Sequence, residues 1–259
     1  MNKKNLYILS LTGLLSLSAC SNDNSPILSN ETGEIRFSLV DTTEVEITTR
    51  ASLNLDVNEF SVSLSRGETP IFTDRKYKDI AGTTISCSAG PNYLLKAENC
   101  TEAEAESKNT NWGQARVYGE ESFTVVANET NTVTVNCGLA NSSVSVDFSD
   151  YIVSSFDNYS IDIYATDANS RTFKFDETNY KFKTAYFNVS GTRELSYTVT
   201  LPSPYQPYTD TFSMEPSKSY KFSVKIDGDS TNSTVTLGII VDGTLLEEKI
   251  LTEKINPYM

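Results

Sequence analysis

The chain has 259 residues, no histidine, and 21 Lys and Arg against 34 Asp and Glu, for a formal net charge of −13. That charge repels nucleic acid, and the absence of His removes the commonest general base, the commonest zinc ligand and every Ser-His or Cys-His nucleophile. The expectation is a non-catalytic protein with no cofactor, no metal and no nucleic-acid partner.

In chain order, the first element is an export signal over residues 1–19. Lys3 and Lys4 give it a positive start, and Tyr7 to Leu17 form an apolar stretch too short to span a bilayer. It ends in Leu17-Ser18-Ala19-Cys20, where small residues suit a peptidase cleft and the thiol of Cys20 follows the cut. This pattern resembles the lipobox of bacterial lipoproteins, so Cys20 is expected to carry lipid. Several acyl chains, at roughly 0.8 kcal/mol per buried CH₂, anchor a protein stably. The expected location is the outer membrane, on the cell surface rather than the periplasmic face. Residues 20–32 read as a lipidated polar tether.

After the tether, period-two alternation of Val, Ile, Thr, Tyr and Phe dominates. Strands are expected at Glu34 to Val40, Glu59 to Leu64, Thr83 to Cys87, Tyr93 to Ala97, Ser122 to Val126 and Thr132 to Cys137. They continue at Ser143 to Phe148, Tyr159 to Tyr164, Tyr186 to Val189, Glu194 to Leu201, Thr211 to Met214, Ser219 to Ile226, Thr234 to Val241 and Thr244 to Leu251. Asp242-Gly243 suits a two-residue hairpin loop between the last two. Only Thr101 to Lys108, rich in Ala and Glu, reads as helical. The fold class is all-β.

Two halves share a pattern. Asn58 to Leu64 parallels Asp157 to Ile163, and Phe123-Thr124-Val125 leading to Thr132 to Val135 parallels Phe212-Ser213-Met214 leading to Tyr220 to Val224. The spacing of Phe60 and Tyr159 suits a β-sandwich domain. Two tandem β-sandwich domains are expected, at residues 33–138 and 139–259.

Few motifs suggest chemistry. Cys87, Cys100 and Cys137 cannot all pair with one another, so either one disulfide forms or all three are small buried hydrophobes. Asp227-Gly228-Asp229 lacks the downstream Glu of a calcium loop and reads as a polar hairpin turn. Glu102, Glu104 and Glu106 read as a solvated face. Trp112, in Asn111-Trp112-Gly113-Gln114, and Tyr205 and Tyr208, in a Pro-rich loop, are candidate ligand-contact aromatics, against the alternative of plain packing.

Longer stretches carry a resemblance. They are Gly33 to Leu39, Glu59 to Leu64, Gly90 to Ala97, Val117 to Val125 and, most tellingly, Val133 to Val146 followed by Phe156-Asp157-Asn158-Tyr159. Together these resemble a group of Bacteroidetes lipoproteins catalogued as a domain of unknown function and related to fimbrillin-like surface proteins. The resemblance implies tandem transthyretin-like sandwiches and a role as fimbrial subunit, anchor or surface adhesin. Polymerising subunits of that kind lose an N-terminal strand to an arginine-directed protease, and Arg36 and Arg50 stand in the corresponding region. An anchor or accessory protein that keeps its lipid fits as well. Asp41-Thr42-Thr43 resembles the O-glycosylation site of Bacteroides envelope proteins, with Thr42 as acceptor. The expected partners are the membrane through the lipid, and fimbrial subunits, other surface proteins or glycans. A glycan-binding lipoprotein of a polysaccharide-uptake system is the alternative reading.

Overall fold

Where apolar residues recur at every second position, one face of a strand is buried, and this pattern builds the protein. In the computed structural model, residues 31–41, 55–166, 171–203, 205–229, 232–241 and 244–255 are described. Residues 1–30, with Cys20, lie outside them, as do Thr42 and Arg50.

The first seven strands are β1 (Thr32–Asp41), β2 (Ser61–Arg66), β3 (Thr69–Lys76), β4 (Ile85–Ser88), β5 (Gly90–Glu98), β6 (Val117–Val125) and β7 (Thr130–Leu139). Their order is β3-β2-β5-β6-β7-β1-β4. The ladder between β6 and β7 is short, Val117 opposite Leu139 and Tyr118 opposite Gly138, so the sheet folds over there. Gly119 permits the close approach, since a Cβ on it would lie 2.3 Å from the Asn136 carbonyl oxygen. The two faces enclose Val62, Leu64, Leu95 and Val117 from one side and Ile35, Phe37, Val133 and Val135 from the other.

The next strands are β8 (Ser142–Phe148), β9 (Ser160–Ala165), β10 (Thr172–Asp176), β11 (Ala185–Phe187), β12 (Arg193–Thr200), β13 (Tyr208–Met214) and β14 (Ser219–Asp229), followed by β15 (Asn232–Val241) and β16 (Thr244–Ile255). They form a four-stranded sheet, β10-β9-β12-β13, and a five-stranded sheet, β11-β8-β14-β15-β16. A second core lies between them, with Ile161, Phe175, Tyr197 and Leu195 facing Val144, Phe187, Phe222 and Leu237.

The two sets of seven strands share one topology. The order β3-β2-β5-β6 recurs as β10-β9-β12-β13, and β4-β1-β7 recurs as β11-β8-β14. Strand directions agree as well: β1 and β7 are parallel, as are β8 and β14, while β1 and β4 are antiparallel, as are β8 and β11. The difference lies at one edge. In the first unit β7 pairs with β6; in the second, the corresponding edge of β14 is covered by β15 and β16.

The parallel pairs also fix which end of each unit is which. The chain enters beside the turn after β4, where the Ala89 amide donates to the Glu31 carbonyl. It leaves along β7, ten residues or about 33 Å further on, at Ala140. Entry and exit are therefore at opposite ends of the first unit. β8 then starts at this exit and runs away from it to Phe148.

Candidate functional site at the junction of the two units

The connection between β5 and β6, residues 99–116, is where the two units meet. It opens with α2 (Glu102–Ser107); α1 is Tyr77–Ile80 and α3 is Asp150–Ser155. Thr101 caps α2: its hydroxyl accepts from the Glu104 amide, and the Glu104 carboxylate accepts from the Thr101 amide at 3.0 Å. These bonds from Thr101 hold the Glu104 carboxyl below its ordinary value. One face of this short helix buries Ala105 and sends Glu106 across the junction.

After α2, Asn109, Thr110 and Asn111 all have positive φ, at 53°, 57° and 68°. Left-handed backbone suits Asn but is costly for β-branched Thr, so the surrounding contacts must enforce it. They include Asn109 Nδ2 donating to the Gly113 carbonyl at 2.8 Å and the Gln114 amide donating to the Ala105 carbonyl at 2.8 Å. Gly113 has φ 81°, and a Cβ there would sit 2.7 Å from the Ala105 carbonyl oxygen and 3.0 Å from Tyr186 Cβ. Only glycine fits this position.

The loop packs Trp112, half-buried, against the second core. Its ring lies 5.1 Å from Phe173 and 5.0 Å from Phe175, with the Lys183 ammonium 5.3 Å from the indole centroid. Its carbonyl accepts from the Tyr186 amide at 2.9 Å. Around this wedge stands an ion cluster. Glu106 lies 2.7 Å from Arg193 and 3.2 Å from Arg171, and the three side chains are only 12% to 20% exposed. The same carboxylate oxygen accepts from the Asn188 amide at 2.9 Å, and Asn188 Nδ2 donates to the Glu102 carbonyl at 2.7 Å. Arg171 also donates to the carbonyls of Asn111 and Tyr186 and lies over Phe173 and Phe187. Asn141, 1% exposed, ties the crossing chain to the loop by accepting from the Arg116 amide and donating to the Gln114 carbonyl. Beside the cluster is an open polar cleft of about 620 Å³, bounded by Glu102, Glu106, Asn188, Ser190, Thr192 and Arg193. Its charges are already matched. The arrangement is a clamp, holding one β unit against the next.

The aromatics singled out from sequence are not gathered in one place. Trp112 belongs to this clamp. Tyr205 and Tyr208 lie at the opposite end of the second unit, since Thr200 pairs with Ser160 while Arg193 and Arg171 sit at the junction. Tyr205 packs at 5.8 Å on Phe156, and Tyr208 lies 6.4 Å from Tyr197 with its hydroxyl donating to Asp210. Glu102 and Glu104 are solvated as expected, but Glu106 is not: two guanidinium groups draw it into the junction. Cys87, Cys100 and Cys137 are all buried, and Cys87 and Cys100 are free thiols whose pKa burial raises. This favours the small-hydrophobe alternative for those two. Asp227, Gly228 and Asp229 are paired in β14 with Thr234, Ser233 and Asn232, so they form the strand before a turn rather than the turn itself. Among the described residues no cluster of His, Cys, Asp and Glu has the arrangement of a metal site.

A domain of unknown function, DUF4493, matches residues 31–257, which spans both units and the clamp between them. The chain belongs to the DUF4493 family. No curated protein matches it. Among solved structures, this DUF4493 chain is similar to a candidate cell adhesion protein from Bacteroides uniformis, at 9% identity and a TM-score of 0.48, with 86% of this chain and 99% of that one covered. It is also similar to a fimbrial assembly protein from Parabacteroides distasonis, at 13% identity and a TM-score of 0.45, covering 85% and 98%. A candidate adhesin from Bacteroides ovatus matches at 11% identity and a TM-score of 0.45, covering 86% and 95%.

Proposed function

We propose that this DUF4493 chain is a lipid-anchored outer-membrane protein of the cell surface with a structural or adhesive role, a fimbria-associated anchor or accessory subunit. In this reading residues 1–19 are the export signal, Cys20 bears the lipid, 20–32 form the tether, and 33–138 and 139–259 are two sandwich domains. The observation that carries it is the polarity of the first unit. The chain enters β1 at the end opposite its exit to the second unit. A tether arriving at Glu31 therefore leaves the second unit on the far side of the first. The clamp supports the same reading, because a stalk that transmits force needs a junction that resists bending. Packing Trp112 against the second core and neutralising Glu106 between two arginines provides one.

The experiment is expression of the wild-type chain and Cys20→Ser with labelled palmitate, followed by membrane fractionation. Label and membrane association should both be lost in Cys20→Ser. Retention of both in the variant would sink the lipoprotein reading.

A further inference from the structure

The two units share a topology, so their free ends can be compared position by position. In the first unit, the connection between its third and fourth sheet neighbours (β5 to β6) carries α2, Glu106 and Trp112 and grips the second unit. The corresponding connection of the second unit, β12 to β13, is the short segment 201–207, Leu-Pro-Ser-Pro-Tyr-Gln-Pro, with no acid, no base and no tryptophan. Nothing there reproduces the clamp, so this end is not built to receive a further unit of the same kind.

It presents one exposed ring, Tyr151, beside two that are half-buried against the second core, Phe156 and Tyr205. α3 follows β8 at the end remote from the junction, and Ile152, fully buried, roots that helix in the second core. Tyr151, on the same turn, is 56% exposed. Its ring lies 6.0 Å from Phe156, which lies 5.8 Å from Tyr205, both in edge-to-face geometry. The rings are held by backbone as well: the Phe156 amide donates to the Ile152 carbonyl, and the Tyr205 amide donates to the Pro202 carbonyl at 3.1 Å. A ladder of rings already ordered before any ligand arrives loses little entropy on binding. Ser154, Asn158 and Gln206 are exposed beside it.

Charge selects the partner. Segments 149–166 and 201–210, which carry the rings, contain Asp150, Asp157, Asp162 and Asp210 and no Lys or Arg; Lys174, opposite Asp162, and Lys225, next to the Val224 carbonyl that accepts from the Ser149 amide, add two bases, which leaves acid in excess. A phosphate, sulfate or uronate would be repelled. A neutral pyranose is not: its C–H faces pack on aromatic rings, and its hydroxyls can pair with amide, hydroxyl and carboxylate groups at the rim.

We infer that the Tyr151–Phe156–Tyr205 ladder is a contact surface for neutral hexose glycans. This rests on the proposed surface display and names the partner class for it.

The test uses the full chain in detergent, probed by calorimetry with neutral gluco-, manno- and galacto-oligosaccharides, with oligogalacturonate and with a polylysine peptide. Binding to at least one neutral series is expected, reduced at least tenfold in Tyr151→Ala and in Tyr205→Ala. Ile71→Ala, on the edge strand β3 of the first unit, should bind as wild type, and Tyr151→Ala should keep the wild-type melting temperature. The inference is overturned by no binding to any neutral series, by equal binding in Tyr151→Ala, or by binding only to oligogalacturonate or polylysine. Surface display is scored separately, by protease accessibility on intact cells. A displayed chain that binds no neutral glycan removes the glycan surface and leaves the structural role standing.

Discussion

Glu106 shows how a single side chain can decide the relation between two units. It reaches from the first unit to stand between Arg171 and Arg193 of the second with little solvent, so removing it leaves two neighbouring guanidinium groups without their counter-charge. Glu106→Ala is expected to lower stability by about 3 kcal/mol, read from urea denaturation, while Glu102→Ala, at an exposed position, should change it by less than about 0.5 kcal/mol. Trp112→Ala should cost roughly 2–3 kcal/mol, by removing the ring that packs on Phe173 and Phe175. The α2 cap adds a pH dependence. Glu104 is held below its ordinary value by bonds from Thr101, so its stabilisation is complete above the ordinary value of 4.5 and is lost as pH falls through the lowered one. Protection of the Thr101 and Glu104 amides, taken relative to the intrinsic exchange rate at each pH, should therefore be higher at neutral pH than in acid, and Thr101→Ala, which removes the hydroxyl but keeps the backbone bond, should shrink that difference. At this scale the sequence was partly legible. The polar, turn-forming surroundings of Trp112 marked it as unlike a core residue, and they belong to a loop. What could not be read is that the loop packs against the core of the other unit. The partners Arg171, Asn188 and Arg193 are each ordinary in sequence and acquire their role only from strand pairing.

Among the elements, period-two alternation located fourteen strands at nearly their observed places, and the Ala- and Glu-rich run Thr101 to Lys108 located α2. β3 was invisible because it is an edge strand with only Phe72 buried and Pro70 within it, so it shows no alternation. β10 alternates, Phe173 and Phe175 inward, but over only five residues. α3 is written in residues that favour strands, Tyr, Ile and Val, and burial of Ile152 in the second core overrides that propensity. The placement of β1 has a consequence for proteolysis. Arg36 sits mid-strand with β7 on one side and β4 near on the other, its Nε donating to Thr84 at 3.5 Å. A protease needs an extended, unpaired chain, so the bond after Arg36 should survive an arginine-specific protease for as long as β1 stays in the sheet. Mass spectrometry of a limited digest checks this, and rapid cleavage there would show that β1 leaves the sheet readily. Gly113→Ala tests the loop in the same spirit. With a positive φ and the Ala105 carbonyl in the way, it should destabilise the protein by at least about 1 kcal/mol, seen as a lower melting temperature.

For the molecule as a whole, the loose likeness of Asn58 to Leu64 with Asp157 to Ile163 turns out to join β2 with β9, and that of the segments around Phe123 and Phe212 joins β6 and β7 with β13 and β14. The repeat was visible because each unit buries the same faces; its added hairpin, β15 and β16, was not, since alternating strands carry no mark of which sheet they extend. The polarity set by β1 beside β7 places the chain's entry and the second unit at opposite ends of the first, and the ladder of rings lies further still along β8. The account stands or falls on whether that second unit faces outward from the cell. The direct measurement is protease treatment of intact cells expressing the chain, followed by detection with antibody against residues 139–259. The account predicts that the antibody signal disappears from intact cells while a periplasmic marker survives. A signal that persists until the cells are lysed would contradict it.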